Sequence, residues 1–550
     1  MSLKSLGLGA ACGAALAAAL LAPSAALARD GAYTRGGGHT WGDRHTGGGE
    51  QLRAGNLLVS GSFYRGADIT PGQTVLPPGC TSDCATATAD GRYPFVFNND
   101  LVDPSFGVTS PIVLYQLRTD GSLAGTTFVP TDDLVTSFSS KSELALNDST
   151  SGRSVSFMGY AAPVSAIDVS NSNTPLAPDP TNPVSGIDYR AAAVLHDNGR
   201  FDFTLTNAYS GNNGRAAILN DERGENLIYT AGNAGNGSNP QPTGVVLGAG
   251  AQIFNEQFSP EANQTPGAPT PVGSFSVTQL GDKADKVGKD DNFRGLTIFD
   301  NVLYYTKGSG SNGVNTVYFL DTTGKACPSG TGVPAANAKL PTMPLTVPPT
   351  VDTDGLPSNM CILSGFPTLL AKSDTGVSNP FGIWFANPHT LYVADEGNGD
   401  TTFDPTTDTF TMAAAQTGAG LQKWVFDPSA GAWEHVDTIS NGLGLGQPYT
   451  VRGYPTGDNA ATGLPWSPAT DGLRNITGRV NRNGTVTIWA ITSTVSGGGD
   501  QGADPNKLVA VTDNPSSMTP GNDRFETVRT ARFGQVLRGV SFTPGSENDR

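Results

Sequence analysis

Arg294, Arg474 and Arg538 each head a stretch with one apolar rhythm: RGLTIF, RNITGR and RGVSFT. Aligned on the apolar positions that follow, Phe381 (FGIWFA), Arg215 and Glu143 fall in the same column. Arginine presents a rigid fork of donors that fits a carboxylate or a phosphate. Residues at one position of a repeated unit gather wherever the units converge. A gathering of guanidinium groups would draw an anionic ligand. The bland alternative is that each Arg pairs with an acidic residue of a neighbouring loop and ties the units together. Both readings stay open at this point.

A second oxygen-rich stretch is Asp395-Glu396-Gly397-Asn398-Gly399-Asp400. Alternating oxygen side chains and glycines suit a hard cation such as calcium, with Asp395, Glu396, Asn398 and Asp400 as the candidate ligands. A solvated acidic loop has the same composition. GGGDQGAD, Gly497 to Asp504, is a weaker form of the same signal. No nucleophilic triad emerges. His196 precedes a hairpin turn, His389 lies in a tight turn and His435 in an outer strand. Glu143 is then the candidate catalytic base.

The elements that must position these residues are strands. Phe293 to Asp321 reads as strand, two-residue turn at Asp300-Asn301, strand, Gly-rich loop, strand. Its apolar residues are mostly β-branched or aromatic, as a half-buried pleated surface prefers. The layout recurs from Gly214, Pro380 and Leu473, with unit starts roughly 60 to 90 residues apart and strands in fours. The N-terminal unit, from Asn56, has one strand too few, and Leu537–Thr543 is a strand left over at the other end. Joining the two closes a ring without an open edge. The expected fold is all-β, a six-bladed β-propeller of four-stranded blades. Seven blades would require strands hidden in the excursions that carry Cys80 or Cys327. In a propeller the innermost strands begin at the top of the central channel. The Arg column therefore belongs at the top mouth, and the long loops between second and third strands make the top the working face.

NPFGIWFANPHTLYVADEGNGD, from Asn379, resembles the inner hairpin of the NHL and SMP-30/gluconolactonase-like six-bladed propellers. The whole chain is also similar to a group of exported bacterial propellers without known function. The SMP-30 resemblance implies a metal-assisted hydrolase or lactonase. The family's metal-binding Asn would fall near Phe381, and Phe ligates no metal.

The N-terminal 28 residues have the Lys, apolar run and A-x-A site of a secretory signal. Residues 29–53 are Gly-rich without periodicity and read as a disordered tail, and 54–545 as the propeller. A secreted or periplasmic protein is expected. Cys80 with Cys84, and Cys327 with Cys361, are the expected disulfides. No later apolar run is long enough for a transmembrane helix. A net charge of −16 argues against nucleic acid. The expectation is a monomer that binds an anionic small molecule or carbohydrate on its top face. Alternatives are the metal-assisted lactonase and an enzyme acting on acidic carbohydrate.

Overall fold

Six sheets, antiparallel apart from a two-residue parallel strand added at the outer edge of two of them, form the body of the computed structural model. It describes residues 51–138, 143–175, 182–224, 226–233, 250–256, 261–262, 271–273, 292–308, 313–327, 330–342, 360–372 and 378–546. The signal stretch and nearly all of the Gly-rich tail lie outside these residues.

Each sheet is a blade whose strands follow chain order from the inside outward. Blade 1 is the exception: it runs Gln535–Phe542, Leu57–Phe63, Ile112–Leu117, Leu123–Phe128. The C-terminal strand pairs antiparallel with the first, Leu57 opposite Phe542 and Phe63 opposite Gln535. Blade 2 holds Asn147–Asp148, Ser154–Ala161, Tyr189–His196 and Phe201–Thr206. Blade 3 holds Gly214–Asn220, Leu227–Gly232, Ala251–Asn255 and Pro271–Gly273. Blade 4 holds Gly295–Phe299, Val302–Lys307, Thr316–Leu320 and Met360–Leu363. Blade 5 holds Pro380–Asn387, Thr390–Asp395, Gly420–Asp427 and Ala432–Ile439. Blade 6 holds Ala469–Val480, Val486–Val495, Lys507–Asp513 and Glu526–Thr530. The fold is thus the six-bladed β-propeller expected. No seventh blade forms among the described residues: the Cys80 excursion makes only the two-residue strands Val75–Leu76 and Ala85–Thr86.

Local chemistry explains the hairpins. Asp300 and Asn301 both have positive φ, 47° and 59°, the twist that a two-residue turn between right-twisted strands demands. The core lies between blades. Phe299 of blade 4 stacks on Phe385 of blade 5 at 4.5 Å, and Trp489 of blade 6 meets Phe542 of blade 1 edge-on at 5.5 Å. Among the described residues no helix is long and apolar enough to cross a membrane.

Both disulfides form, each with Cα atoms 5.7 Å apart. Cys361 sits in the outermost full strand of blade 4 and is 1% exposed. Its bridge to Cys327 spans 34 positions, against 4 for Cys80–Cys84. Loop-closure entropy makes the longer bridge the stabilising one, by about 3–4 kcal/mol. Replacing Cys327 and Cys361 together by Ala is expected to lower the unfolding midpoint in urea clearly. Replacing Cys80 and Cys84 is expected to shift it little.

Candidate functional site at the channel mouth

The glycine after each ring residue sets the blade-to-blade distance. A Cβ built on Gly295 would overlap the carbonyl oxygen of Phe381, and one on Gly382 that of Arg474. One on Gly539 would overlap that of Leu144. Each inner strand thus lies against the next at the same position. Gly295, Gly382 and Gly539 directly follow Arg294, Phe381 and Arg538. Leu144 follows Glu143, and Asn475 follows Arg474. Asn475 makes the equivalent contact by accepting from the Val540 N–H at 2.6 Å. The column inferred from sequence alignment is therefore a ring in space.

Around that ring, Glu396 is the hub of one side. Its carboxylate lies 3.8 Å from Arg294 Nε and 3.2 Å from Arg474 Nε. The three side chains are only 11–16% exposed. Phe381 sits between the two arginines, whose guanidinium carbons lie 6.0 and 5.8 Å from its ring centre. That geometry adds a cation–π attraction on each side.

Glu143 is the hub of the other side. Tyr160 Oη donates to its Oε1, and Asn213 Nδ2 donates to the same oxygen at 3.2 Å. Its Oε2 is buried and has no hydrogen-bond partner among the described residues. Arg215 donates to the side-chain oxygen of Asn292 and, at 3.0 Å, to the carbonyl of Phe293. Arg538 Nη2 donates to the Ser137 carbonyl at 2.9 Å.

The four guanidinium groups feel one another. Burial pushes Arg215 well below the usual guanidinium range; the charge of Arg294 adds to this, and Glu143 opposes it. Burial lowers Arg294 as well, with Glu396 opposing and Arg474 adding. Arg538 is pushed down to about 10, chiefly by burial, with Glu143 opposing and Arg474 adding. Removing a cation from water is costly unless carboxylates or an anion compensate. Glu143 and Glu396 oppose these shifts, and Asp500 does so as well at Arg538.

The oxygens of the Asp395–Asp400 stretch go to separate partners. Asp395 accepts from Asn379 N (2.8 Å), Gly397 N (3.0 Å), Ser378 Oγ (3.1 Å) and Gln422 Nε2 (3.1 Å). Glu396 turns to the arginines. Asn398 Oδ1 accepts from Asp400 N, and Asp400 Oδ1 from Thr402 N. Asp395, Glu396 and Asp400 do not come together as a metal-ligating group. Among the described residues the one such group is His196, Asp202 and Glu256, with ligand atoms within 4.8 Å of one another. It lies at the hairpin end of blade 2, and Arg200 Nη2 already sits 2.7 Å from Asp202.

Sequence spacing missed three features. Ser154 Oγ lies 2.9 Å from His196 Nδ1, and His196 Nε2 lies 2.7 Å from Asp202. The hydrogen-bond order is that of a nucleophilic triad, but Ser154 lies at the opposite end of strand Ser154–Ala161 from Tyr160, the partner of Glu143 in the ring. Tyr160, the partner of Glu143, is an alternating residue of an ordinary strand, with nothing in sequence to mark it. Arg190 is fully buried and donates to the carbonyls of Ser170, Ser172, Asp188 and Asn212, fastening the loop above blade 2. A lone charge heading the apolar run YRAAAVL was its only signal.

Three buried carboxyls make stability pH-dependent. Burial pushes Asp395 up to about 7, Asp471 to about 6 and Asp504 to about 7. In the unfolded chain such groups titrate near about 4. Between those values the folded state holds protons that the unfolded state has lost, so stability falls as pH rises through the window. Thermal melts are expected to give a higher Tm near about pH 5 than near about pH 8. A flat or rising profile would contradict this assignment.

No protein-family model matches the chain, and no curated protein matches it. Among solved structures, an ulvan lyase described as a new family of polysaccharide lyase aligns over 86% of this chain and 97% of its own. The TM-score is 0.29 and the identity 12%. An acylaminoacyl peptidase aligns over 76% of this chain and 41% of its own, with a TM-score of 0.26 and 7% identity. Likenesses this distant carry no functional argument. The chemistry has to be argued from the ring itself.

Proposed function

We propose that the protein binds an anionic small molecule, or the anionic end of a carbohydrate, at the top mouth of its channel. The observation that supports this most is the convergence of Arg215, Arg294, Arg474 and Arg538 at one ring, where the charges of Arg294 and Arg474 act on their neighbours. A ligand carboxylate, phosphate or sulfate would relieve the mutual repulsion and gain charge-assisted hydrogen bonds. Its affinity should fall with added salt to the extent that solvent reaches the site. Calcium in the Asp395–Asp400 loop is not required by this reading. Nothing in the geometry favours the metal-assisted lactonase over it.

Calorimetric titration with citrate, inorganic phosphate and galacturonate tests the proposal. Wild type is expected to bind at least one of them. Arg474→Gln is expected to bind about tenfold more weakly, the loss of one charge-assisted contact. Absence of binding by wild type, or unchanged binding by Arg474→Gln, would count against it.

The free Oε2 of Glu143 favours a second reading, an enzyme acting on acidic carbohydrate. The ring would hold a uronate carboxylate while Glu143 works as base. Polygalacturonate digestion followed by reducing-end release decides between the two. The enzyme reading expects release by wild type and none by Glu143→Gln. The binding reading expects none from either.

A further inference from the structure

Away from the channel, a groove of about 460 Å³ opens where blade 1 meets the segment arriving from blade 6. Phe63, Arg65, Tyr115, Phe128, Arg532 and Phe533 line most of it. Its wall includes no acidic residue, although the chain carries a net charge of −16. Arg65 and Arg532 have no carboxylate within ion-pair distance among the described residues, and both are exposed. Arg529 lies just behind, its guanidinium 4.7 Å from the Tyr115 ring centre. The groove is therefore a cationic spot on an acidic protein.

Its aromatic content is as unusual as its charge. Phe128 is 58% exposed and Phe533 44% exposed. Burying a Phe side chain contributes about 1.5–3 kcal/mol, so leaving two at one concave rim is a cost without a folding return. Single exposed apolar residues are ordinary; a set lining one groove marks a binding surface. Phe63 and Phe128 meet edge-on at 6.2 Å, and the Arg65 guanidinium lies 4.3 Å over Phe63. Gln535 Nε2 is oriented by its bond to Tyr115 Oη at 2.8 Å.

Flat aromatic faces, a side-chain amide and guanidinium groups without acidic partners together match one kind of ligand. A pyranose ring offers an apolar C–H face to the aromatics and hydroxyls to the amide. A carboxylate or sulfate on the ring takes the guanidinium fork. We propose that this groove is a second binding site, separate from the channel mouth, for a chain of anionic pyranose units. The occupant is a glycan rather than a protein segment, because the groove combines aromatic stacking faces with guanidinium groups that have no carboxylate beside them among the described residues.

Affinity electrophoresis of the full protein tests this, with gels containing polygalacturonate, dextran sulfate or neutral dextran. Wild type is expected to be retarded by one or both charged polymers and not by dextran; which polymer acts tells carboxylate from sulfate. Phe533→Ala and Arg532→Ala are each expected to weaken retardation about tenfold. Both positions are exposed, so the variants should melt with wild type; Phe128→Ser, on another strand, is the control should one of them fail to fold. Arg474→Gln should lose less retardation than Phe533→Ala or Arg532→Ala. Failure of both charged polymers to retard wild type overturns the proposal. Retardation that survives Phe533→Ala and Arg532→Ala but disappears in Arg474→Gln also overturns it, while leaving the channel mouth as a binding site. Equal retardation by dextran overturns the requirement for charge.

Discussion

Deleting residues 535–550 is expected to leave a protein that does not fold. The strand Gln535–Phe542 is the innermost of blade 1 and supplies Leu537, Val540 and Phe542, each 2% exposed or less, to the core shared with blade 6. Losing one large buried side chain costs about 2–5 kcal/mol. Losing three, with a full strand of hydrogen bonds, exceeds the roughly 5–15 kcal/mol by which domains are stable. The deletion also bares the whole edge of Leu57–Phe63, six of whose seven residues are buried. Aggregation is the expected outcome, read by size-exclusion chromatography. A monomer melting at the wild-type temperature would show that the ring does not depend on its closing strand.

Glu396→Ala is expected to produce the largest loss of any single substitution at the channel mouth. It removes the carboxylate shared by Arg294 and Arg474, leaving both guanidinium groups buried beside each other and the ring. Breaking one partner from a buried ion pair costs about 3–5 kcal/mol, because the remaining charge has no water to return to. Two further results follow if that is the cause. Arg294→Met and Arg474→Met added to Glu396→Ala should recover much of the loss, since apolar groups of similar length need no counter-charge. Millimolar phosphate should raise the Tm of Glu396→Ala more than that of wild type, by occupying the vacated place. A variant with wild-type Tm and no response to phosphate would mean that Glu396 holds nothing together.

The architecture was readable because a propeller writes its period into the chain. The turn at Asp300-Asn301 and the strand spacing identified the blades, and the surplus strand at Leu537 announced the closure. The Arg column was readable for the same reason, since equivalent positions in repeated strands become neighbours around one axis. Glu396 was not. Composition marks an oxygen-rich loop but not where each oxygen points, and Asp395 spends its carboxylate on backbone and side-chain donors while Glu396 crosses to the neighbouring blades. Tyr160 and Arg190 were illegible because their partners, a carboxylate and the carbonyls of flanking loops, follow no periodic spacing. The groove beside blade 1 was illegible as well. Its aromatics and arginines come from four separate stretches, around 63, 115, 128 and 533. No single stretch carries the pattern, and only the docking of blade 6 against blade 1 assembles it.

The central claim is that the guanidinium ring takes an anion. Anomalous diffraction from crystals soaked in selenate tests it most directly, because selenate mimics sulfate and its selenium can be located without bias. The account predicts an anomalous peak at the channel mouth, within hydrogen-bond distance of at least two of Arg215, Arg294, Arg474 and Arg538. It also predicts that the peak disappears in Arg474→Gln crystals. A channel mouth free of selenate at concentrations that label other cationic sites, with all four guanidinium groups held by protein carboxylates and carbonyls, would contradict it.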